Sequence, residues 1–332
     1  MTVASSPMRA RAEVQTLRDR VDAALKDLVS PNDPKTLYDP VRYILHNGGK
    51  RLRPILLLLT ARAYGASEDD ALPAALAVEV FHNFTLVHDD VMDHADERRG
   101  RPTVHVKWDE STAILCGDYL MGLSYDLLAR SVPRKAAPLV ARFQEMVVRL
   151  CEGQALDKEF ESRSDVTIHE YLDMVDRKTG ALLQASLELG GMLGGADGEA
   201  LTVLSEVGQK TGRAFQIMDD LLDLTARDER WGKAIGGDLV EGKKTYILLR
   251  AIELSEGENR AWLFRIIEEN GLTPDLLDEA RERMERSGVL EEARAEVLRY
   301  SADALDDAEM LPDSHAADTL RWLLRRMQER MH

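Results

Sequence analysis

Two cysteines, Cys116 and Cys151, are too few in 332 residues for a disulfide framework. Both read as small buried side chains, and a reducing interior is the expected compartment. Aromatic residues make up only 5% of the chain. No segment sustains period-2 alternation with β-branched enrichment, which disfavours a sheet and the nucleotide-binding folds built on one. Apolar runs are short: the longest, Pro54 to Ala61, falls far below the ~20 residues a membrane helix needs. The N-terminal stretch lacks the apolar core of a signal peptide, so a cytoplasmic protein with no integral membrane segment is expected. Positive charge is also in deficit. Lys plus Arg total 43 against 59 for Asp plus Glu, and a net charge of -16 repels a phosphate backbone, which argues against a nucleic-acid partner.

What the chain does have is Leu, Ala, Glu and Arg in abundance, with 31% charged residues. That composition favours helices packed on helices, and period-3.6 patterning recurs almost throughout. It is interrupted by turn-rich pieces at 30–34, after Asp93 up to Pro102, at 194–199 and from Ala226 to Lys243. None resembles a flexible interdomain linker. The expectation is an all-α fold in one domain spanning 1–332, with residues 1–10 as a flexible tail.

Two DDxxD clusters stand out, Asp89-Asp90-x-x-Asp93 and Asp219-Asp220-x-x-Asp223. In a helix, residues i and i+4 share a face, so each cluster presents converging carboxylates one turn apart. Like charges at that spacing repel, and the repulsion grows as water is excluded, so a cation should compensate. Hard oxygen ligands on a rigid face suit Mg²⁺, which keeps several waters and shares its other positions with substrate phosphates. One such cluster is no more than an acidic helix face. Two, each after an apolar helix and before a basic, glycine-containing loop, are a signal. An EF-hand is excluded because its D-x-D-x-D-G spacing is absent.

Basic groups accompany both clusters. Gly48-Gly49-Lys50-Arg51-Leu52-Arg53-Pro54 places Lys50 and Arg53 three apart, on one side of an expected helix start. Arg98-Arg99-Gly100 follows the first cluster through a short loop, and cations beside a metal-binding face suit a diphosphate. The segment Gly237–Lys244 nearly matches a Walker loop, but Lys244 stands where Ser or Thr is needed and no strand precedes it. His88-Asp89 could be the dyad of an all-α metal phosphohydrolase, a reading that leaves the second cluster unexplained.

The motifs GGKRLRP, FHNFTLVHDDVMDHADERRGRPT, Lys178-Thr179-Gly180, and FQIMDDLLD followed by GKAIGGDLVEGKKTY occur in this order. In this the chain resembles the trans-polyprenyl diphosphate synthase family, with its short-chain geranylgeranyl and farnesyl diphosphate synthases. The resemblance implies an isoprenoid-synthase-type helical bundle around a central cavity, usually a homodimer, with the two clusters facing each other across the cavity mouth. It implies a metal site of Asp89, Asp90, Asp93, Asp219, Asp220 and Asp223, with Mg²⁺ as cofactor at about three ions per site. Lys50, Arg53, His82 and Arg99 would hold isopentenyl diphosphate. Arg98, Lys178, Thr179, Gln216, Lys233 and Lys243 would face the allylic diphosphate, all but Arg98 counted as catalytic. A lone His on an apolar helix is more often a satisfied core residue, but His82 lies seven residues before Asp89, two turns down the same face.

The growing chain should run down the helix of the first cluster. Phe84 lies about 7.5 Å below Asp89 and Phe81 about 12 Å below, so either could floor the pocket. Phe84 followed by the small Thr85, with no insertion between Asp90 and Asp93, is similar to geranylgeranyl diphosphate synthases, which favours a C20 product over C15. Rival readings are a class I terpene cyclase, which binds no isopentenyl diphosphate and would not need the Lys50, Arg53 and His82 set, and a regulatory subunit of a heteromeric synthase, which would lack some charged motif.

Overall fold

The computed structural model describes residues 7–225 and 236–328. Among them the chain is all-α apart from one two-stranded ribbon. The described residues cluster into two compact units, each taken by itself below.

The first unit takes in the chain up to Glu145, with Gln184–Ser205 and Ala308–Leu323. It holds α1 (Pro7–Leu28), α2 (Lys35–Leu45), α3 (Leu52–Ala63), α4 (Glu68–Met92), the ribbon β1 (Glu97–Arg98) and β2 (Arg101–Pro102), α5 (Val104–Lys107) and α6 (Glu110–Ala129). Residues 7–10, expected in a flexible tail, are helical, and Ala10 is fully buried. Every residue of α3 from Pro54 to Ala61 is buried, as a helix apolar on all sides requires. The side chain of Ser67 accepts from Asp70 N (3.1 Å) to cap α4, and three acidic residues in the first turn favour its N-terminus.

The second unit comprises Met146–Leu183, Glu206–Asp307 and the chain from Leu324. The remaining helices are α7 (Ala136–Ser162), α8 (Ile168–Val175), α9 (Ala181–Gly194), α10 (Gly198–Thr225), α11 (Gly237–Val240), α12 (Tyr246–Leu254), α13 (Gly257–Glu268), α14 (Leu277–Ser287), α15 (Val289–Ala308) and α16 (His315–Gln328), of which α8 and α11–α14 fall wholly in the second unit. The core of the second unit gathers Phe160, Tyr171, Ile217, Leu221, Leu248 and Leu263 with many smaller neighbours. A capping box, Thr167 with Glu170, starts α8. No described helix is long and apolar enough to cross a membrane.

Candidate functional site

In the first unit the Asp89 cluster closes α4. Asp89 is half-buried, Asp90 is buried, and Asp93 is the exposed C-cap residue, its N–H bonded to Asp89 O (2.8 Å). Asp90 turns inward. Its Oδ1 accepts from Arg98 Nε at 2.6 Å; burial raises its pKa, and the Arg98 guanidinium opposes the rise.

Arg98 and Arg99 ride on the ribbon. Arg98 pairs with Arg101, leaving a two-residue loop, Arg99-Gly100, with both φ values positive, 55° and 70°. This has the form of a type I′ turn, which favours glycine at such positions because it has no Cβ. Tyr43 donates to Pro102 O (2.8 Å), and Arg101 to Asn47 Oδ1 (3.1 Å), tying the ribbon down. Arg99 then reaches Gly48 O at 2.6 Å.

The GGKRLRP loop differs from its expected form. Arg51 has φ 52°, a left-handed backbone, so α3 starts only at Leu52 and Lys50 precedes the helix rather than sharing a face with Arg53. The Arg51 side chain is buried. It donates to Asp22 Oδ1 (2.7 Å), Glu79 Oε1 (2.6 Å) and Leu45 O (3.2 Å). No local feature of the sequence marks Arg51 as the buried cation beside the exposed Lys50.

Arg53 Nη1 lies 3.3 Å from His82 Nε2. Although part of its surface is accessible, His82 has its pKa pushed well below 6.5, first by burial and then by Arg53, Arg99, Arg98 and Arg51. A neutral ring among four guanidinium groups makes this corner of the unit a place where an anion would be stabilised. Lys50 is exposed on the same loop.

The imidazole of His82 is therefore expected to titrate well below 6.5 in the free protein. Between that low value and 6.5 the unfolded chain binds a proton that the native ring refuses, so stability is lost as pH falls through this window. Added pyrophosphate should move the titration upward, and His82→Gln should remove this part of the pH dependence. NMR of the imidazole checks the assignment; a midpoint near 6.5 without ligand would contradict it.

Below Asp89, Phe84 packs at 5.1 Å from Phe81 and 4.7 Å from His88, ring to ring, and is half-buried. Phe81 is fully buried and meets Phe143 edge-on. Thr85 donates its hydroxyl to His82 O (2.9 Å). His88 Nε2 is 3.2 Å from Ile114 O of α6, so its ring is spent on packing, which weakens the phosphohydrolase dyad.

In the second unit, Asp219 on α10 is half-buried, whereas Asp220 and Asp223 are buried. Asp220 Oδ2 accepts from Tyr171 Oη (2.6 Å) and Tyr246 N (2.8 Å), and Oδ1 accepts from Gln216 Nε2 (3.0 Å). Burial outweighs these donors and raises its pKa to about 7. Asp223 receives the next loop: its carbonyl accepts from Gly236 N (2.8 Å) and its Oδ2 from Asp238 N (3.2 Å).

Lys178 and Thr179 lie in a π-helical turn, Asp176–Gly180, that joins α8 to α9. Such turns recur at functional sites. Asp176 is buried and holds the turn through Arg213 Nε (2.8 Å), Arg213 Nη2 (2.6 Å) and Gln209 Nε2 (2.6 Å). On α7, a Cβ on Gly153 would lie 2.3 Å from Lys178 N, so only glycine allows this approach. Lys178 pairs with Asp157 (2.5 Å), and Thr179 Oγ1 donates to Gln216 Oε1 (3.0 Å).

Lys243 is exposed and pairs with Glu241 at 2.8 Å, while Lys244 turns inward to Glu161 O (2.9 Å). Lys233 lies outside the described residues. Among the described residues, no three His, Cys, Asp or Glu side chains form a ready metal cage.

The first unit thus places Arg53, His82, Arg99 and Arg98 around one end of α4 with its carboxylates, and the second links Thr179, Gln216 and Asp220 by hydrogen bonds. Known proteins are similar to this chain over most of its length. A geranylgeranyl diphosphate synthase from Methanosarcina mazei is 46% identical over 243 residues, 73% of this chain and 75% of the relative. A geranylfarnesyl diphosphate synthase from Natronomonas pharaonis is 37% identical over 326 residues, 91% of this chain and 92% of the relative. A crystal structure of geranylgeranyl pyrophosphate synthase superposes with a TM-score of 0.89 at 40% identity, covering 95% of this chain and 98% of that one. With residues 34–284 matched by the polyprenyl synthetase family model, the chain belongs to the polyprenyl synthetase family.

Proposed function

We propose that this chain is a short-chain trans-prenyltransferase that joins isopentenyl diphosphate to an allylic diphosphate, with geranylgeranyl diphosphate as its main product. The observation that carries the reading is the gathering of Arg53, His82 and Arg99 beside the α4 carboxylates. A class I cyclase has no second diphosphate to hold and no use for that corner. The family match runs through residues of both units, which supports reading them as one catalytic domain; that this domain works as a homodimer is carried over from the family resemblance alone.

The donor chemistry fits magnesium. Asp89, Asp93 and Asp219 offer hard oxygens that are at least partly accessible, and Asp223 stands one turn from Asp219. Asp90 and Asp220, already engaged by protein donors, act as anchors in this assignment. When bound, Mg²⁺ supplies charge neutralisation that makes the diphosphate a better leaving group.

Lys50, Arg53, His82 and Arg99 bind isopentenyl diphosphate and aim its double bond. Arg98, Lys178, Lys233 and Lys243 bind the allylic diphosphate and its departing pyrophosphate. The allylic C1–O bond breaks, the electron pair leaves with pyrophosphate, and the isopentenyl double bond attacks C1. A proton lost to pyrophosphate restores a double bond. Thr179 and Gln216 present oxygen dipoles that stabilise positive charge without capturing it.

The deciding experiment supplies the purified chain with Mg²⁺, isopentenyl diphosphate and each allylic primer in turn, and sizes the extracted products. Elongation to a C20 alcohol after phosphatase treatment is expected; no elongation from any primer sinks the reading. Pyrophosphate release with a cyclic hydrocarbon, in the absence of isopentenyl diphosphate, would point to a cyclase. Phe84→Ala should lengthen the product by at least one isoprene unit, because the ring braced by Phe81 and His88 then no longer blocks the chain. An unchanged product would remove Phe84 as the floor.

A further inference from the structure

We infer that Tyr171 is a positioning residue for this reaction, acting through Asp220 to fix the orientation of the Gln216 amide and the Thr179 hydroxyl. The inference rests on the prenyltransferase reading above. Tyr171 lies on α8, is 2% exposed, and touches no group assigned to bind substrate. Its hydroxyl donates to Asp220 Oδ2 at 2.6 Å, and Tyr246 N at the start of α12 donates to the same oxygen at 2.8 Å. The other oxygen, Oδ1, accepts from Gln216 Nε2 at 3.0 Å. One carboxylate therefore joins α8, α10 and α12.

Donor and acceptor chemistry then propagates outward. A carboxylate held by two donors on one oxygen has its plane fixed, and in its ionised form, which prevails above pH 7, its other oxygen can only accept. The Gln216 amide must turn its NH₂ toward Asp220, which leaves Oε1 pointing at Thr179. Thr179 Oγ1 answers by donating its proton to Gln216 at 3.0 Å. With that proton committed, the threonine oxygen has only lone pairs to show to a developing cation. Were the amide reversed, its NH₂ would face Thr179 and the hydroxyl proton would be released to point elsewhere. The edge contact of the Tyr171 and Tyr246 rings, with centroids 6.3 Å apart, keeps the phenol in place.

Tyr171→Phe removes one donor and keeps the ring. The expected result is a fall in kcat of about ten-fold, the scale of one hydrogen bond to a charged group, with KM for isopentenyl diphosphate unchanged within about two-fold. A tyrosine that merely stabilises the fold would instead shift the unfolding midpoint and leave kcat per folded enzyme alone. The sharper readout is a double-mutant cycle. If Tyr171 acts through Gln216, adding Tyr171→Phe to Gln216→Leu costs little further activity. If the two losses multiply, the inference falls.

Should Tyr171→Phe not fold, the wild-type protein still decides. With ¹⁵N-glutamine labelling, one Gln216 side-chain NH₂ proton should exchange slowly with solvent, and rapid exchange of both would overturn the proposed chain. Wild-type elongation is the control throughout: its absence removes the prenyltransferase reading, while its presence beside an unaltered Tyr171→Phe enzyme removes only this one.

Discussion

Asp89→Asn is expected to lower kcat/KM for elongation by roughly a thousand-fold, about 4 kcal/mol of transition-state stabilisation, while stability changes by no more than about 1 kcal/mol. Both halves follow from where the residue sits. Asp89 lies in the last turn of α4 with Asp93 at its C-cap, so two like charges stand one turn apart at the negative end of a helix dipole. Each of those terms opposes folding by a few tenths of a kcal/mol on exposed helices, and neutralising Asp89 relieves both. Carboxylates are kept at such a place when something cationic is to meet them there. Activity and thermal denaturation should therefore move apart. A variant that loses activity and stability together would show Asp89 to be a structural residue.

Glu79→Ala is expected to have the largest effect on stability, a loss of about 3–5 kcal/mol. Arg51 and Glu79 are paired at 2.6 Å with side chains 1% and 3% exposed. Removing the acid leaves a buried guanidinium with Asp22, itself partly in water, as its remaining counter-charge. Because Arg51 anchors the loop between Lys50 and Arg53, the same change should raise KM for isopentenyl diphosphate. Replacing both partners, as in Arg51→Met with Glu79→Leu, should recover much of the stability, since a buried pair gains little over apolar packing of similar volume. Chemical denaturation of Arg51→Met, Glu79→Leu and the double variant measures the coupling. If Glu79→Ala unfolds at the wild-type midpoint, the pair is not the anchor described.

Much of this was legible in the sequence because it is local. Helices declared themselves by period and both acidic clusters by spacing, whereas the cap at Ser67 and the capping box at Thr167 were found only in the structure. The parts that were hidden depend on partners far along the chain. Asp90 reads like Asp89, yet only the fold turns it to Arg98, and Asp220 reads like Asp219 until Tyr171 and Tyr246 are brought to it. Lys50 and Arg53 suggested one helix face, but Arg51 takes a left-handed backbone with its side chain buried against Asp22 and Glu79. The ribbon of β1 and β2 is too short for any alternation to show.

The π-helical turn at Asp176–Gly180 has one more consequence. Such a turn holds one residue more than an α-helical turn, so side chains before and after it are out of phase by about 100°. Shortening the segment by one residue would let α8 run into α9 as ordinary helix, with apolar faces still available on either side of it. The chain could remain folded while Lys178 and Thr179 swing about a quarter of the way round the axis, away from Asp157 and Gln216. Here a single added residue separates a continuous helix from one that turns Lys178 and Thr179 toward Asp157 and Gln216.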